Sequence, residues 1–208
     1  MVAFSSQGGE NGLCAPFKDG KVDESMLETM LEAAEVGRLY RIDASSSKVG
    51  FCVNSQLRRV EGDFKEFQGG MTLSKGGAGK AETLVAIKAA SLDTDGALIE
   101  AMIKSQRFFD VENYPEILFV STGFEWTSNT TALLRGNLTL HGVTKPVTFN
   151  VTLTDIKDNS AAAGERILVK ATTKVSRAEF GMDTLSSVVD DNVQLCMSVE
   201  ARKFSSKS

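Results

Sequence analysis

Residues 193–200 have the sequence Val-Gln-Leu-Cys-Met-Ser-Val-Glu, in which every second side chain is apolar. Successive side chains of a strand point to opposite faces, so this alternation predicts a strand with one dry and one wet face. Earlier segments alternate in the same way, at residues 48–53, 83–87, 117–121, 136–140 and 147–153. Such a series of half-buried strands predicts an antiparallel sandwich or a closed barrel.

One helix interrupts this series of strands. It is predicted to begin at Thr94 or Asp95 and to end near Arg107, where Lys and Arg side chains suit a helix C-terminus. Its apolar face consists of residues spaced three or four apart, namely Leu98, Ile99, Met102 and Ile103. The Tyr114-Pro115 pair then ends the connection and opens the next strand.

The first 39 residues differ from the rest of the chain. Residues 1–21 are rich in Gly and Ser and predict an extended arm, and a helix is expected from about Asp23 to Gly37. Its apolar stripe is Met26, Leu27, Met30, Leu31 and Ala34. The stripe has two interpretations: a lid or homodimer contact, or a helix packed on its own domain. We therefore divide the chain into an arm and helix (1–39) and a β domain (40–208).

Charge and composition exclude several classes of function. The net charge of −4 resides in residues 1–39, which hold seven acidic and three basic residues, so the β domain is neutral and nucleic acid is not an expected partner. No apolar run is long enough to span a membrane as a helix, and no secretion signal is visible at the start. The 12 Phe residues against 2 Tyr and 1 Trp favour a dry interior.

The sequence lacks a recognisable catalytic or metal-binding set. His141, the single histidine, is flanked by turn residues, and one His with scattered cysteines cannot supply four zinc ligands. Glu61 and Asp63 are expected to face solvent as strand carboxylates. Residues 76–80 resemble a phosphate loop but lack the following Ser or Thr and the helix, so they predict a flexible hairpin. We predict a protein that is not an enzyme.

The order of motifs resembles the YceI-like family of polyisoprenoid-binding, lipocalin-like periplasmic proteins. The most specific block is Gly-Asn-Leu-Thr-Leu-His-Gly-Val-Thr-Lys-Pro-Val at residues 136–147. The other matching blocks follow the same order as in the family and lie at residues 40–43, 47–51, 62–69, 91–94, 108–121 and 176–182, followed by the final strand. Gln106-Arg107 departs from the family's usual small or acidic residues, and residues before Tyr40 lie outside the shared domain.

The resemblance implies an all-β fold: an eight-stranded antiparallel lipocalin-like β-barrel with one inserted helix and, here, an N-terminal helical extension. It also implies a periplasmic location and an isoprenoid or related long-chain lipid in the lumen. Binding, transport or sequestration of that lipid requires no cofactor; the bound molecule is expected to be a polyprenyl phosphate, a ubiquinone or a fatty acyl compound. The alternatives are an enzyme acting on a lipid, and an interaction protein with a barrel filled by side chains.

Phase within the alternation predicts which side chains line such a lumen. The predicted residues share the inward phase of their strands and are Phe51, Val53, Phe64, Val85, Ile87, Ile117, Phe119, Leu138, Leu140, Phe149, Leu195 and Met197, to which the motif around residue 177 adds Phe180. Arg177, expected at the barrel mouth, has two interpretations. Its guanidinium either contacts a polar lipid head group or holds a loop through backbone carbonyls.

The three cysteines lie far apart in the sequence. Cys52 and Cys196 have the outward phase of the first and last strands, which are neighbours in a closed up-and-down barrel. In an oxidising compartment we predict a Cys14–Cys52 disulfide, which would strap the N-terminal arm to the barrel. A Cys52–Cys196 pair and three free thiols are the alternatives.

Overall fold

The chain forms a closed eight-stranded antiparallel β-barrel, as predicted. The computed structural model describes residues 24–35, 38–72, 81–156 and 165–204. Its helices are α1 (Glu24–Glu35) and α2 (Ala97–Lys104). Its strands, in chain order, are β1 (Leu39–Ser55), β2 (Arg59–Phe64), β3 (Phe67–Thr72), β4 (Thr83–Lys88), β5 (Leu92–Thr94), β6 (Glu116–Trp126), β7 (Thr131–Leu140), β8 (Val143–Ile156), β9 (Arg166–Ser176) and β10 (Val189–Lys203).

Ten strands make eight staves because two staves are broken in the middle. The first half of β1 pairs with β3 and its second half pairs with β2, so β2 and β3 occupy one position in the wall. In the same way, β4 pairs with β3 while β5 pairs with β2. A short 3₁₀ turn at Ala89–Ser91 separates β4 from β5. The remaining strands follow in sequence order from β6 to β10.

Pairing of β1 with β10 closes the barrel. Phe51 lies opposite Leu195 and Val53 opposite Val193, so the inward phases of the first and last strands coincide. The register shifts between Asp43 and Lys48, which lets the 17-residue β1 bend around the wall. A closed wall removes the unpaired edges that an open sheet would expose.

Helix α1 packs on the outside of the barrel, so the interpretation of a helix packed on its own domain is confirmed. Met30 is buried against Leu84, Ala86 and Leu118, which point outward from β4 and β6. This cover explains why β4 is buried on both faces, whereas strands such as β7 and β9 alternate. Ala33 and Ala34 pack with Leu39 at the start of β1. Neither helix that the structure describes is long and apolar enough to cross a bilayer.

Candidate functional site: an apolar lumen in two compartments

The upper half of the barrel, where α2 lies, encloses an apolar cavity with a free volume of about 130 Å³. Twelve of the residues predicted from phase line it: Phe51, Val53, Phe64, Val85, Ile87, Ile117, Phe119, Leu138, Leu140, Phe149, Leu195 and Met197. Among the described lining residues, Arg177 is the one with a polar side chain. A cavity with walls of this kind holds no partner for water and suits an alkyl or prenyl chain.

Aromatic rings dominate this upper compartment. The ring of Phe109 lies edge-on to that of Phe51 at a centroid distance of 5.7 Å and 5.9 Å from that of Phe64. Deeper in the lumen, Phe119 and Phe149 make a second edge-to-face pair with centroids 5.3 Å apart. Edge-to-face packing satisfies the quadrupoles of the rings and fixes their orientation.

Helix α2 and the segment after it form part of the cavity wall, which the phase of the strands did not indicate. Ile99, Met102 and Ile103 face the cavity from α2, and Phe108 and Phe109 follow from the next segment. The apolar face of α2 was visible in the sequence, but its spacing could not show that this face covers the mouth of the barrel. Leu98, assigned to that face, instead points outward and is 89% exposed.

A smaller compartment of about 40 Å³ lies in the lower half of the barrel. Its walls include aliphatic side chains such as Ile42, Leu134 and Val151. The described residues that line both compartments are Val49, Val85, Phe119 and Met197. These four residues, which we call the constriction, separate the two halves of the lumen.

Phe180 does not line the lumen, although it was predicted to do so. It is buried in the core, with 1% of its surface exposed, but it does not line the upper or the lower compartment. The reason is that strand β9 ends at Ser176 and a 3₁₀ turn at Ala178–Phe180 follows, so the alternation no longer applies. The Phe180 carbonyl lies 3.0 Å from Nδ1 of His141. His141 itself occupies the two-residue turn between β7 and β8 with φ of 51°, a structural role.

Arg177 is buried, with 4% of its surface exposed, and its guanidinium binds backbone carbonyls. Nε donates to the Asp190 carbonyl at 3.0 Å, and Nη2 donates to that of Val189 at 3.0 Å. Nη1 donates to the carbonyls of Met182 and of Thr184. Four of its five N–H groups are therefore used by the loop before β10 and by the first two residues of β10, which corresponds to the loop-holding interpretation and leaves little for a lipid head group.

The carboxylate of Asp191 helps to hold the same corner of the barrel. It accepts a hydrogen bond from the Ala178 backbone N–H at 2.9 Å. The hydrogen bond from Ser176, followed by that from the Ala178 backbone, lowers the pKa of Asp191. Asp191, near the start of β10, thus holds the end of β9 and the turn that follows it.

Exposed apolar side chains surround the mouth of the upper compartment. Leu57, in the turn between β1 and β2, is 96% exposed. Val188 is partly exposed, and its carbonyl accepts a hydrogen bond from the Gln56 N–H, so these two loops meet. Arg58 Nη2 donates to the Asp95 carbonyl just before α2, which brings Leu98 to the same rim. An apolar chain entering the lumen here would first meet apolar side chains.

The described residues contain no cluster of side chains that could bind a metal ion. No group of three or more His, Cys, Asp or Glu side chains there could hold a metal ion. Glu61 and Asp63 are exposed, as predicted. The Gly-rich residues 76–80 lie outside the described residues.

The structure describes two of the three cysteines, Cys52 and Cys196. Cys52 is a buried free thiol and Cys196 a half-buried one. Cys14 lies outside the described residues, so the Cys14–Cys52 disulfide stays a prediction.

Comparisons with known proteins agree with this fold. Residues 40–201 match the model of the YceI-like domain. A UPF0312 protein of Pseudomonas putida (strain W619) is 38% identical over 144 residues, which are 69% of this chain and 74% of the relative. Among solved structures, BcnA of Burkholderia cenocepacia superposes with a TM-score of 0.69 at 24% identity, covering 76% of this chain and 98% of BcnA.

A polyisoprenoid binding domain from Saccharophagus degradans, implicated in plant cell wall breakdown, has the same fold. Its TM-score is 0.57 at 18% identity, over 79% of this chain and 98% of that domain. The family model covers most of the chain, and the matched segment spans the barrel from β1 to β10. The chain therefore belongs to the YceI-like family.

Proposed function

We propose that this protein binds one long apolar lipid, an isoprenoid or a related chain, in the lumen of the barrel and does not alter it chemically. The observation that carries the proposal is the lining of the upper compartment, where side chains from at least seven staves and from α2 are apolar and the guanidinium of Arg177 is turned to carbonyls. The neighbour described as polyisoprenoid binding supports the same ligand class.

The free volume of the upper compartment is too small for a long lipid chain unless part of its wall moves. The upper compartment offers about 130 Å³, close to the roughly 150 Å³ of an apolar cavity that holds benzene. Sites for larger ligands measure about 300–1,000 Å³. A long chain must therefore displace wall residues, and the segment with the fewest strand neighbours is α2 with Phe108 and Phe109. We propose that this segment moves outward when the lipid enters.

Chain length is the variable that tests the proposal most simply. Each buried CH₂ contributes about 0.8 kcal/mol, or about a fourfold gain in affinity. We expect the Kd of delipidated protein for isoprenoid alcohols to fall with each added unit and then to level off once the lumen is full. Isothermal titration calorimetry or a competition assay would measure the Kd for each chain length. Affinities that do not depend on chain length would contradict the proposal.

The head group provides a second, independent comparison. Because backbone carbonyls use most of the Arg177 donors, an isoprenoid alcohol and the corresponding isoprenoid phosphate should bind within about threefold of each other. Lipid recovered after incubation should have an unchanged mass. A chemically altered product would instead support an enzyme, and an absence of binding by every chain would support a barrel that serves only as an interaction scaffold.

A further inference from the structure

Two thiols are neighbours on the outer face of the strand pair that closes the barrel. In the β1–β10 ladder, Cys52 lies opposite Gln194 and Cys196 lies opposite Gly50. Because two positions along a strand share a face, Cys52 and Cys196 are diagonal neighbours on the same side of the wall. Both are free thiols in the structure.

Two polar side chains, those of Gln194 and Arg59, lie beside these thiols. Cys52 Sγ lies 3.9 Å from Oε1 of Gln194, and the same glutamine also hydrogen-bonds to Cys196. Burial and the neighbouring Cys52 thiol raise the pKa of Cys196. Nη2 of Arg59 lies 2.7 Å from Cys52 Sγ. This contact sets a positive charge against one sulfur of the pair.

The opposite faces of the same two strands line the lumen. Phe51 and Val53 flank Cys52 in the chain, and Leu195 and Met197 flank Cys196. All four line the upper compartment, and Met197 belongs to the constriction. A covalent bond on the outer face would therefore fix the spacing of two staves whose inner faces meet the ligand.

We propose that Cys52 and Cys196 form a reversible disulfide that locks the closing strand pair of the barrel. In this step one thiolate attacks the disulfide of a small oxidant, and the second thiol then displaces the oxidant's remaining thiol from the mixed disulfide. Two S–H bonds are lost and one S–S bond forms. The oxidant's disulfide takes up the two electrons and the two protons and becomes two thiols.

The diagonal register explains why this bond should be reversible. Diagonal neighbours in an antiparallel ladder have Cα atoms about 7–8 Å apart, whereas disulfides require about 4.4–6.8 Å. The two strands must therefore move together slightly for the bond to form. A disulfide formed with such strain is easier to reduce than an unstrained structural one.

The test uses the full chain equilibrated in mixtures of reduced and oxidised glutathione, followed by rapid alkylation and peptide mapping without reduction. We expect a crosslinked peptide containing Cys52 and Cys196 in the wild type and equally in Cys14→Ser, which serves as the matched control. Cys52→Ser and Cys196→Ser should each lose it. In Cys14→Ser, oxidation should also raise the Tm by about 5–15 °C, because the bond closes a loop of more than 100 residues.

Three results would overturn the proposal. A crosslinked peptide containing Cys14 would show that the N-terminal arm supplies the partner, as the sequence alone predicted. Alkylation of all three thiols at every glutathione ratio would show that no disulfide forms. Glutathione attached to Cys52 or Cys196 without a crosslink would show that the two strands cannot approach. Strand content measured by circular dichroism checks that the serine variants are folded.

Discussion

The two halves of the lumen share the same strands and the same alternation, yet they differ in content. In the upper half, rings such as those of Phe51, Phe64 and Phe109 surround about 130 Å³ of free volume. In the lower half, aliphatic side chains such as Val151 and Val169 leave about 40 Å³. β-Branched side chains have restricted rotamers and fill a barrel closely, whereas planar rings leave gaps between them.

The walls of the two halves differ as well. Helix α1 covers the outside of β4 and the first part of β6 through Met30, so β4 is buried on both faces. Helix α2 instead lies over the mouth, with its inner face in the cavity and Leu98 exposed. One helix therefore covers the wall from outside and the other covers the mouth, although both are amphipathic helices in the sequence.

The largest effect is expected from a charge at the constriction. Phe119 is 4% exposed and lines both compartments, so a carboxylate there would have no partner. Phe119→Asp should abolish lipid retention and destabilise the fold by about 3–5 kcal/mol. Lipid extraction and thermal unfolding measure the two effects. Thr122→Asp, on an exposed position of the same strand, is the matched control and should change neither. Normal lipid recovery from a folded Phe119→Asp variant would place this residue outside the binding site.

Replacing Arg177 separates a structural role from ligand recognition. Arg177→Met keeps the length of the side chain but leaves at least four buried or half-buried carbonyls without their donor. We expect a loss of about 2–4 kcal/mol of stability and no change in the preference between an isoprenoid alcohol and its phosphate. Unfolding in urea and paired binding titrations measure these quantities. Unchanged stability together with selective loss of phosphate binding would restore the head-group interpretation.

A change on the barrel-facing side of α1 should lower stability without changing lipid binding. Met30→Ala removes a buried side chain from the outer face of β4 and β6, which should cost about 2 kcal/mol. Lipid content should stay constant, since this face is turned away from the lumen. Leu31→Ala, at a neighbouring exposed position of α1, is the control and should be neutral. Lost lipid in a stable Met30→Ala variant would mean that α1 takes part in binding.

The smallest change tests how the constriction is built. A Cβ added to Gly136 would lie 2.4 Å from Cζ of Phe119 and 2.6 Å from the Val120 carbonyl oxygen. Gly136→Ala should therefore push the Phe119 ring, cost about 1–3 kcal/mol, and shift binding toward shorter chains. Gly123→Ala is the matched control, because nothing lies within 4 Å of its added Cβ. Equal chain-length profiles for the two variants would show that the position of the Phe119 ring does not limit the ligand.

Alternation predicted the barrel and most of its lining because it depends only on local geometry. Phe51, Phe119 and Leu195 could be placed by counting in twos along a strand. Phe180, which the motif around residue 177 and not the alternation had added to the lining, lies in a 3₁₀ turn beyond the end of β9 and lines neither compartment. Alternation missed the interruption of two staves, because the breaks at β2–β3 and β4–β5 depend on how strands from distant parts of the chain pair.

Contacts between residues that are far apart in the chain could not be predicted from the sequence. Two of the carbonyls that bind Arg177 come from the loop before β10 and two from the first residues of β10, so both interpretations of this residue stayed open until the path of the chain here was known. Leu84 and Ala86 have the outward phase of their strand, and alternation alone does not show whether outward side chains are covered. Only the position of α1 shows that these side chains are buried by a helix from earlier in the chain.

Native mass spectrometry of the purified full chain tests whether the lumen holds one apolar chain. We predict a bound species at a ratio of one lipid to one protein, which is lost on extraction with organic solvent and restored by adding a long-chain isoprenoid. Phe119→Asp should neither carry nor regain it, while Thr122→Asp should do both. A folded wild-type protein that carries no lipid and takes up none from any chain length would contradict the account.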